Sequence, residues 1–286
     1  MLPLHPAPRH KDAFPDAILE EPVSWSLDYS EKPQWMRRAK IYGPHYSNWT
    51  NSEGKPVPEL LEKEPWISNP KPWLDMLRCT LAVDEGLGKI TDLLKKQKRY
   101  DNTIFIFMAD NGWFFGEHRR GDKRLAYEES IKIPFIISYP AMIKPGSIVE
   151  GMAANIDIGP SLLEMAGIQT PASMQGESFV PLFKNKIKDR KSPFFYEYFQ
   201  EKYAPGIPTI LSVRTPEWKY IHFPFESVKE GNFDELYNLK IDPHELHNLV
   251  HSPESKTQLN YMKKLLEKAK KQYAYTDPPY CYKISE

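Results

Sequence analysis

The chain has 286 residues, and its 38 Lys and Arg balance 38 Asp and Glu, so it has no net field of the kind that gathers polyanions and nucleic acid is not expected as a partner. Hydrophobic residues at 41%, aromatics at 13% and a mean hydropathy of -0.58 describe a globular protein. No apolar run approaches the roughly 18 residues of a membrane helix, which excludes an integral helical membrane protein. The length suffices for one large α/β domain or a core with a smaller appended unit, and 27 prolines against 14 glycines point to long ordered loops over a scaffold. Cys79 and Cys281 are too few for a disulfide framework and are expected to be unpaired.

The first residues carry no charged start, apolar stretch or small-residue cleavage site, so the expectation is a cytoplasmic protein or a natural beginning further upstream. From Met1 to about Asn69 prolines interrupt any long element, which predicts an extended wrapping segment with short helices. Between Lys71 and Lys98 the positions Trp73, Leu74, Leu77, Leu81, Leu87, Ile90, Leu93 and Leu94 recur at helical spacing, and the basic run Lys95 to Arg99 suits the negative end of a helix dipole.

The continuous apolar runs Thr103 to Ala109 and Pro134 to Tyr139 then predict strands buried on both faces, with Ser147 to Ala153 as a third. Asp157 to Ala166 reads as a helix with Asp157 as N-cap and Gly167 as C-cap. Helices alternating with buried strands predict a layered, mostly parallel or mixed α/β sheet over residues 1–188. From 189 to 286 the texture changes to aromatic strands, Phe194 to Phe199, Leu211 to Thr215, Trp218 to Phe223 and Glu235 to Leu239, with a tight turn at Thr215-Pro216-Glu217 and a closing helix from Ser255 to Tyr273. A small antiparallel sheet covered by a helix is expected there.

The first buried strand ends in Asp110-Asn111-Gly112. In open α/β sheets ligands bind beyond the carboxyl ends of strands, so the two oxygen-bearing side chains could hold a hard cation, although Asp-Asn-Gly is also an ordinary turn. Gly116-Glu117-His118, Asp122-Lys123-Arg124 and Tyr127-Glu128-Glu129-Ser130 follow. The stretch Thr103 to Pro140 resembles the second half of the type I, formylglycine-dependent sulfatases of the alkaline phosphatase-like superfamily. Further resemblance lies in Pro6 to His10, in Met174-Gln175-Gly176-Glu177-Ser178 running to Leu182, in Val213-Arg214-Thr215 with Trp218-Lys219-Tyr220-Ile221, and in Leu236-Tyr237-Asn238-Leu239 followed by Asp242-Pro243-His244-Glu245 to Leu249.

The resemblance implies hydrolysis of a sulfate ester, carried by a sulfated small molecule or glycan, beside a divalent cation, usually Ca²⁺. Members of that family are usually exported, being periplasmic, extracellular or lysosomal. Position by position it makes Asp110 and Asn111 metal ligands and Lys123 a sulfate-binding lysine, the three converging on one cleft. His118 would contact substrate, orient the loop or be structural. Arg124 would favour the sulfate or pair with Glu128 or Glu129, and Asp242 to Asn248 would be a capped turn locking the terminal sheet.

The pattern also departs from the family. Neither Cys79 nor Cys281 stands in a C/S-x-P-S-R nucleophile motif, so this chain is expected to be an inactive portion whose partner would be the N-terminal half of the enzyme. Two other readings accompany that one: a phosphonate or phosphate ester hydrolase of the same superfamily, and a noncatalytic glycan-binding remnant.

Overall fold

The computed structural model describes residues 4–25, 32, 33, 36, 71–184, 186–190, 192–201, 207–225 and 234–278. Most of the segment expected to wrap, and Cys281, lie outside the described residues; Cys79 is a free thiol. The chain divides into two units that interleave along the sequence instead of meeting at residue 188. One comprises Met1–Ser26, Ile41–Asp122 and Lys132–Pro145, and the other Leu27–Lys40, Lys123–Ile131 and Gly146–Glu286.

In the first unit the leucine spacing yields α1, Lys71–Lys96, with Lys95 and Lys96 in its last turn. The wrapping expectation is met where the segment is described. A 3₁₀ turn at Pro8–His10 sets Arg9 and His10 on Glu85, and Arg78 Nε donates to the Ala13 carbonyl at 2.9 Å. Trp73 meets Phe115 edge-on at 4.7 Å.

The two apolar runs form β1, Phe105–Met108, and β4, Phe135–Ser138, but they pair antiparallel, with Phe105 opposite Ser138 and Met108 opposite Phe135. A parallel pair needs a crossover, usually a helix of some length. The connection holds β2, Phe114–Phe115, β3, Gly121–Asp122, and a single turn, α2, Glu128–Ile131, with no long crossover helix. Burial on both faces is not found either: β1 is half-buried throughout and Ile136 of β4 is 63% exposed. Among the described residues every strand pair is antiparallel, and the fold is α/β with small antiparallel sheets.

In the second unit Ser147 to Ala153 is not a strand. Ile148 and Val149 are exposed, and the segment is tied by Met152 N–H to Asp189 Oδ1 at 2.8 Å instead of by a ladder. The helix α3, Ile158–Met165, ends as the sequence predicts: Gly167 takes a φ of 72°, and the N–H groups of Gly167 and Ile168 return to the carbonyls of Glu164 and Leu163. Asp157 does not cap α3 with its side chain. Its carboxylate instead accepts the N–H groups of Ala154 and Glu177 and the guanidinium of Arg190. This staples the Met174 to Leu182 stretch, which ends in α4, Val180–Phe183, to the start of α3.

The terminal sheet is as expected, a four-stranded antiparallel meander of β5, Phe194–Tyr198, β6, Ile210–Arg214, β7, Trp218–His222, and β8, Glu235–Asn238. Thr215 closes the β6–β7 turn by bonding Trp218 through both its backbone and its hydroxyl. The helix α5, Lys256–Gln272, lays Met262, Leu266 and Ala269 on Leu211, Val213, Tyr220 and Leu236. The Asp242 turn is capped as predicted, its carboxylate accepting Leu246 and His247 N–H, while Asn248 Oδ1 accepts Leu236 and Val250 N–H. No helix among the described residues is long and apolar enough to cross a membrane.

Candidate functional site

The first unit holds Asp110, Asn111 and His118, and the second holds Lys123. β1 runs out at Met108, and Asp110 and Asn111 follow at its carboxyl end. Asp110 is exposed; its Oδ1 accepts the Asn111 N–H at 3.0 Å, and Asn111 Nδ2 donates to the Gly112 carbonyl at 2.6 Å. These bonds are the ones that a turn would make, and they leave two hard oxygen donors side by side in sequence. Such donors suit Ca²⁺ or Mg²⁺ in kind, but a hard-cation site takes about six oxygens or more. Among the described residues no group of three or more His, Cys, Asp or Glu could hold a metal ion, so the pair would be part of a ligand set and not the whole of it.

Beyond the pair, the β2–β3 hairpin carries a run of left-handed backbone. Gly116 has φ 111°, His118 50°, Arg119 49°, Asp122 69° and Arg124 89°. Each non-glycine residue there costs on the order of 1 kcal/mol or more, and strain of this kind concentrates where side chains must be aimed. The geometry is over-determined by neighbours. Gly116 N–H bonds the Arg120 carbonyl, Arg119 Nε donates to the Trp25 carbonyl at 2.5 Å, and His118 N–H donates to Ser24 Oγ at 2.9 Å. The His118 ring is fully buried and edge-on to Phe114.

Lys123 is half-buried between the left-handed Asp122 and Arg124. Arg124 pairs with Glu201 at 3.2 Å, while Glu128 is held by two other cations.

Those cations belong to a buried cluster in the second unit that the sequence reading did not assemble. Arg214 contacts the Glu128 carboxylate through two nitrogens, at 3.0 and 3.1 Å. Lys219 Nζ lies 2.8 Å from Glu128 and 2.8 Å from Glu245. Glu245 accepts the Glu128 N–H at 2.7 Å, and its own carbonyl takes Lys32 Nζ at 2.6 Å. Lys32 also donates to Tyr237 at 2.8 Å, and the hydroxyls of Tyr127 and Tyr237 both donate to Glu235.

Burial opposes ionisation of Glu128, but Lys219 and Arg214 outweigh it and bring its pKa down to about 2. Burial raises Glu245 to about 7 against the pull of Lys219, with Glu128 and Glu129 adding to the rise. Burial likewise raises Glu235, against the opposing pull of Lys32, and lowers Lys32. The signal available in sequence was the set of motifs itself: Glu128, Arg214, Lys219, Tyr237 and Glu245 all stand in stretches that carry the family resemblance. Lys32 lies outside them.

Comparison with known proteins places these observations. The family described as N-sulphoglucosamine sulphohydrolase, C-terminal, matches residues 116–272, and the sulfatase family matches residues 38–168. An N-acetylglucosamine-6-O-sulfatase of Bacteroides thetaiotaomicron is 36% identical over 207 residues, covering 71% of this chain and 36% of the relative. An N-acetylglucosamine-6-sulfatase of Bos taurus is 27% identical over 292 residues, covering 91% of this chain and 48% of the relative. The chain thus spans less than half the length of these relatives. A solved structure of a protein in complex with its substrate D-glucosamine-2-N,6-O-disulfate superposes with a TM-score of 0.79 at 28% identity, covering 97% of this chain and 64% of that one.

Proposed function

The chain belongs to the sulfatase family, and we propose that it forms part of an enzyme that hydrolyses sulfate esters on a sulfated amino sugar. The observation that carries the reading is the likeness to a solved protein bound to a disulfated glucosamine, supported by relatives named for N-acetylglucosamine 6-sulfate. In this reading Asp110 and Asn111 supply two oxygens to a divalent cation, completed by ligands from the rest of the enzyme. When bound, that cation would neutralise charge on the sulfate oxygens.

Lys123 acts on the same sulfate: its ammonium opposes the negative charge that builds up as the ester oxygen departs. His118 keeps the intervening loop in its left-handed path and touches no substrate. The nucleophile stands outside the motifs carried by this chain, and an upstream half of a sulfatase would be the partner that brings it.

The test is to join this chain to the upstream portion of a family member and measure release of sulfate from 6-sulfated N-acetylglucosamine. Turnover that requires a divalent cation, and that falls on Asp110→Ala and on Lys123→Ala, supports the reading. Turnover of phosphonate esters in preference to sulfate esters would overturn it.

A further inference from the structure

Arg214 and Lys219 are direct partners across the β6–β7 ladder. Two cations opposite each other on a strand pair repel, and an anion placed between them relieves that repulsion. The anion is Glu128, whose Oε1 lies 3.0 Å from Arg214 Nε and 2.8 Å from Lys219 Nζ. Glu128 is not a residue of the sheet. It belongs to Lys123–Ile131, a stretch grouped with the second unit although the chain on either side of it, up to Asp122 and from Lys132, is grouped with the first.

That excursion is fastened into the second unit along its length. Arg124 pairs with Glu201, Leu125, Ala126 and Tyr127 are buried, the Tyr127 hydroxyl donates to Glu235 of β8, and the Glu128 N–H donates to Glu245. The hairpin and the Glu245 turn therefore hold the stretch by its middle, a few residues beyond Lys123.

We propose that the β6–β7 hairpin is a socket for the Glu128 carboxylate, and that this socket positions the stretch bearing Lys123. The proposal rests on the sulfatase reading only for what Lys123 does once positioned. On this account the Arg214-to-Ile221 and Asp242-to-Glu245 motifs serve to aim a lysine that lies far from them in sequence. Glu128, Arg214 and Lys219 are positioning residues here, not catalytic ones. An ammonium stabilises a sulfate only if its approach is fixed beforehand, and a tethered lysine on a loose loop would lose much of that effect.

The experiment is amide hydrogen exchange on the full chain, comparing wild type with Glu128→Gln and Arg214→Lys. The expected result is exchange over residues 124–131 faster by roughly tenfold or more, from loss of charge-assisted bonds. Protection in β5 to β8 should be unchanged, and Lys123→Ala should leave the stretch as protected as in wild type.

Unchanged exchange over 124–131 in both variants would overturn the proposal whatever the chain hydrolyses. Should Glu128→Gln also strip protection from the sheet, Arg214→Lys decides, because it keeps the charge while removing the two-point contact. In an active assembly Glu128→Gln should lower kcat more than it raises KM, and combined with Lys123→Ala it should add little further loss. Faster exchange without any effect of Lys123→Ala on sulfate turnover would leave the socket standing and sink the sulfate-binding role of Lys123.

Discussion

A Cβ on Gly176 would lie 2.0 Å from the carbonyl oxygen of Ile156, a distance no side chain can accept. The obstacle is backbone, held by the N–H of Asp157 on the Ala154 carbonyl and by the Asp157 carboxylate on Glu177 N–H. Gly176→Ala must therefore separate the Met174 to Leu182 stretch from the start of α3. A loss of about 1–3 kcal/mol or more is expected, the scale of overpacking that moves backbone. Urea unfolding of the purified variant measures it. A midpoint equal to that of wild type would show that the two segments are not held in this register.

Gly176 also shows what could be read in advance. The motif marked the position as one of interest, but the reason, a close approach to a residue twenty positions earlier, lies in tertiary contact. The helices α1 and α5 and the β6–β7 turn were legible because period and capping are local properties. The direction of pairing between β1 and β4 was not legible from the apolar runs, since a run without alternation is compatible with either direction. The candidate site divides in the same way. Asp110, Asn111 and Lys123 stand out as candidates through the motif they share. The Glu128 socket was not, because its members come from three distant stretches and each alone reads as a solvated charge.

The cluster should print itself on the pH dependence of stability. Glu245 is raised from its ordinary 4.5 to about 7 by burial, with Lys219 of β7 opposing and Glu128 and Glu129 of α2 reinforcing. A carboxyl raised by folding favours the folded state most below its ordinary pKa, and that contribution is lost as pH climbs to about 7. Glu128, lowered to about 2, works the other way: its contribution is full above 4.5 and disappears as pH falls toward 2. Stability should thus decline between pH 4.5 and 7 by up to about 3 kcal/mol through Glu245. Denaturant midpoints taken across that range should flatten in Glu245→Gln, and an unaltered slope in that variant would assign the decline elsewhere.

Asp110→Ala and Lys123→Ala separate a ligand from an electrostatic group in the completed enzyme. Loss of a carboxylate from a hard-oxygen set lowers metal content, so Asp110→Ala should lose both bound metal and turnover. Lys123→Ala should retain the metal and lose turnover by about 10²–10³-fold, the usual effect of removing one charge-stabilising group. Metal content measured alongside sulfate release gives both numbers. Retention of metal by Asp110→Ala at the wild-type level would withdraw the ligand assignment.

Lys32 supplies the last test, because it lies beside a carboxylate that is fully buried. Its amine is fully buried, 3.8 Å from Glu235 Oε2, and over the faces of Tyr127 and Tyr237 at 4.5 and 4.6 Å. Lys32→Met keeps the stem and removes the charge, which leaves the buried Glu235 with two hydroxyl donors and the pull of Lys219. The expected cost is about 3–5 kcal/mol, the usual result of orphaning one member of a buried pair. The cost should shrink as pH falls. Glu235 is already raised by burial against the pull of Lys32, and without that pull it takes up a proton more readily and becomes neutral. Adding Glu235→Gln removes the orphaned charge directly, so the double variant should be more stable than the sum of the two single losses by about 0.5–3 kcal/mol. Thermal melts of the four proteins at pH 6 and pH 8 complete the cycle. Strict additivity, with no dependence on pH, would mean that Lys32 contributes packing and hydrogen bonds to Tyr237 and Glu245 but does not compensate Glu235.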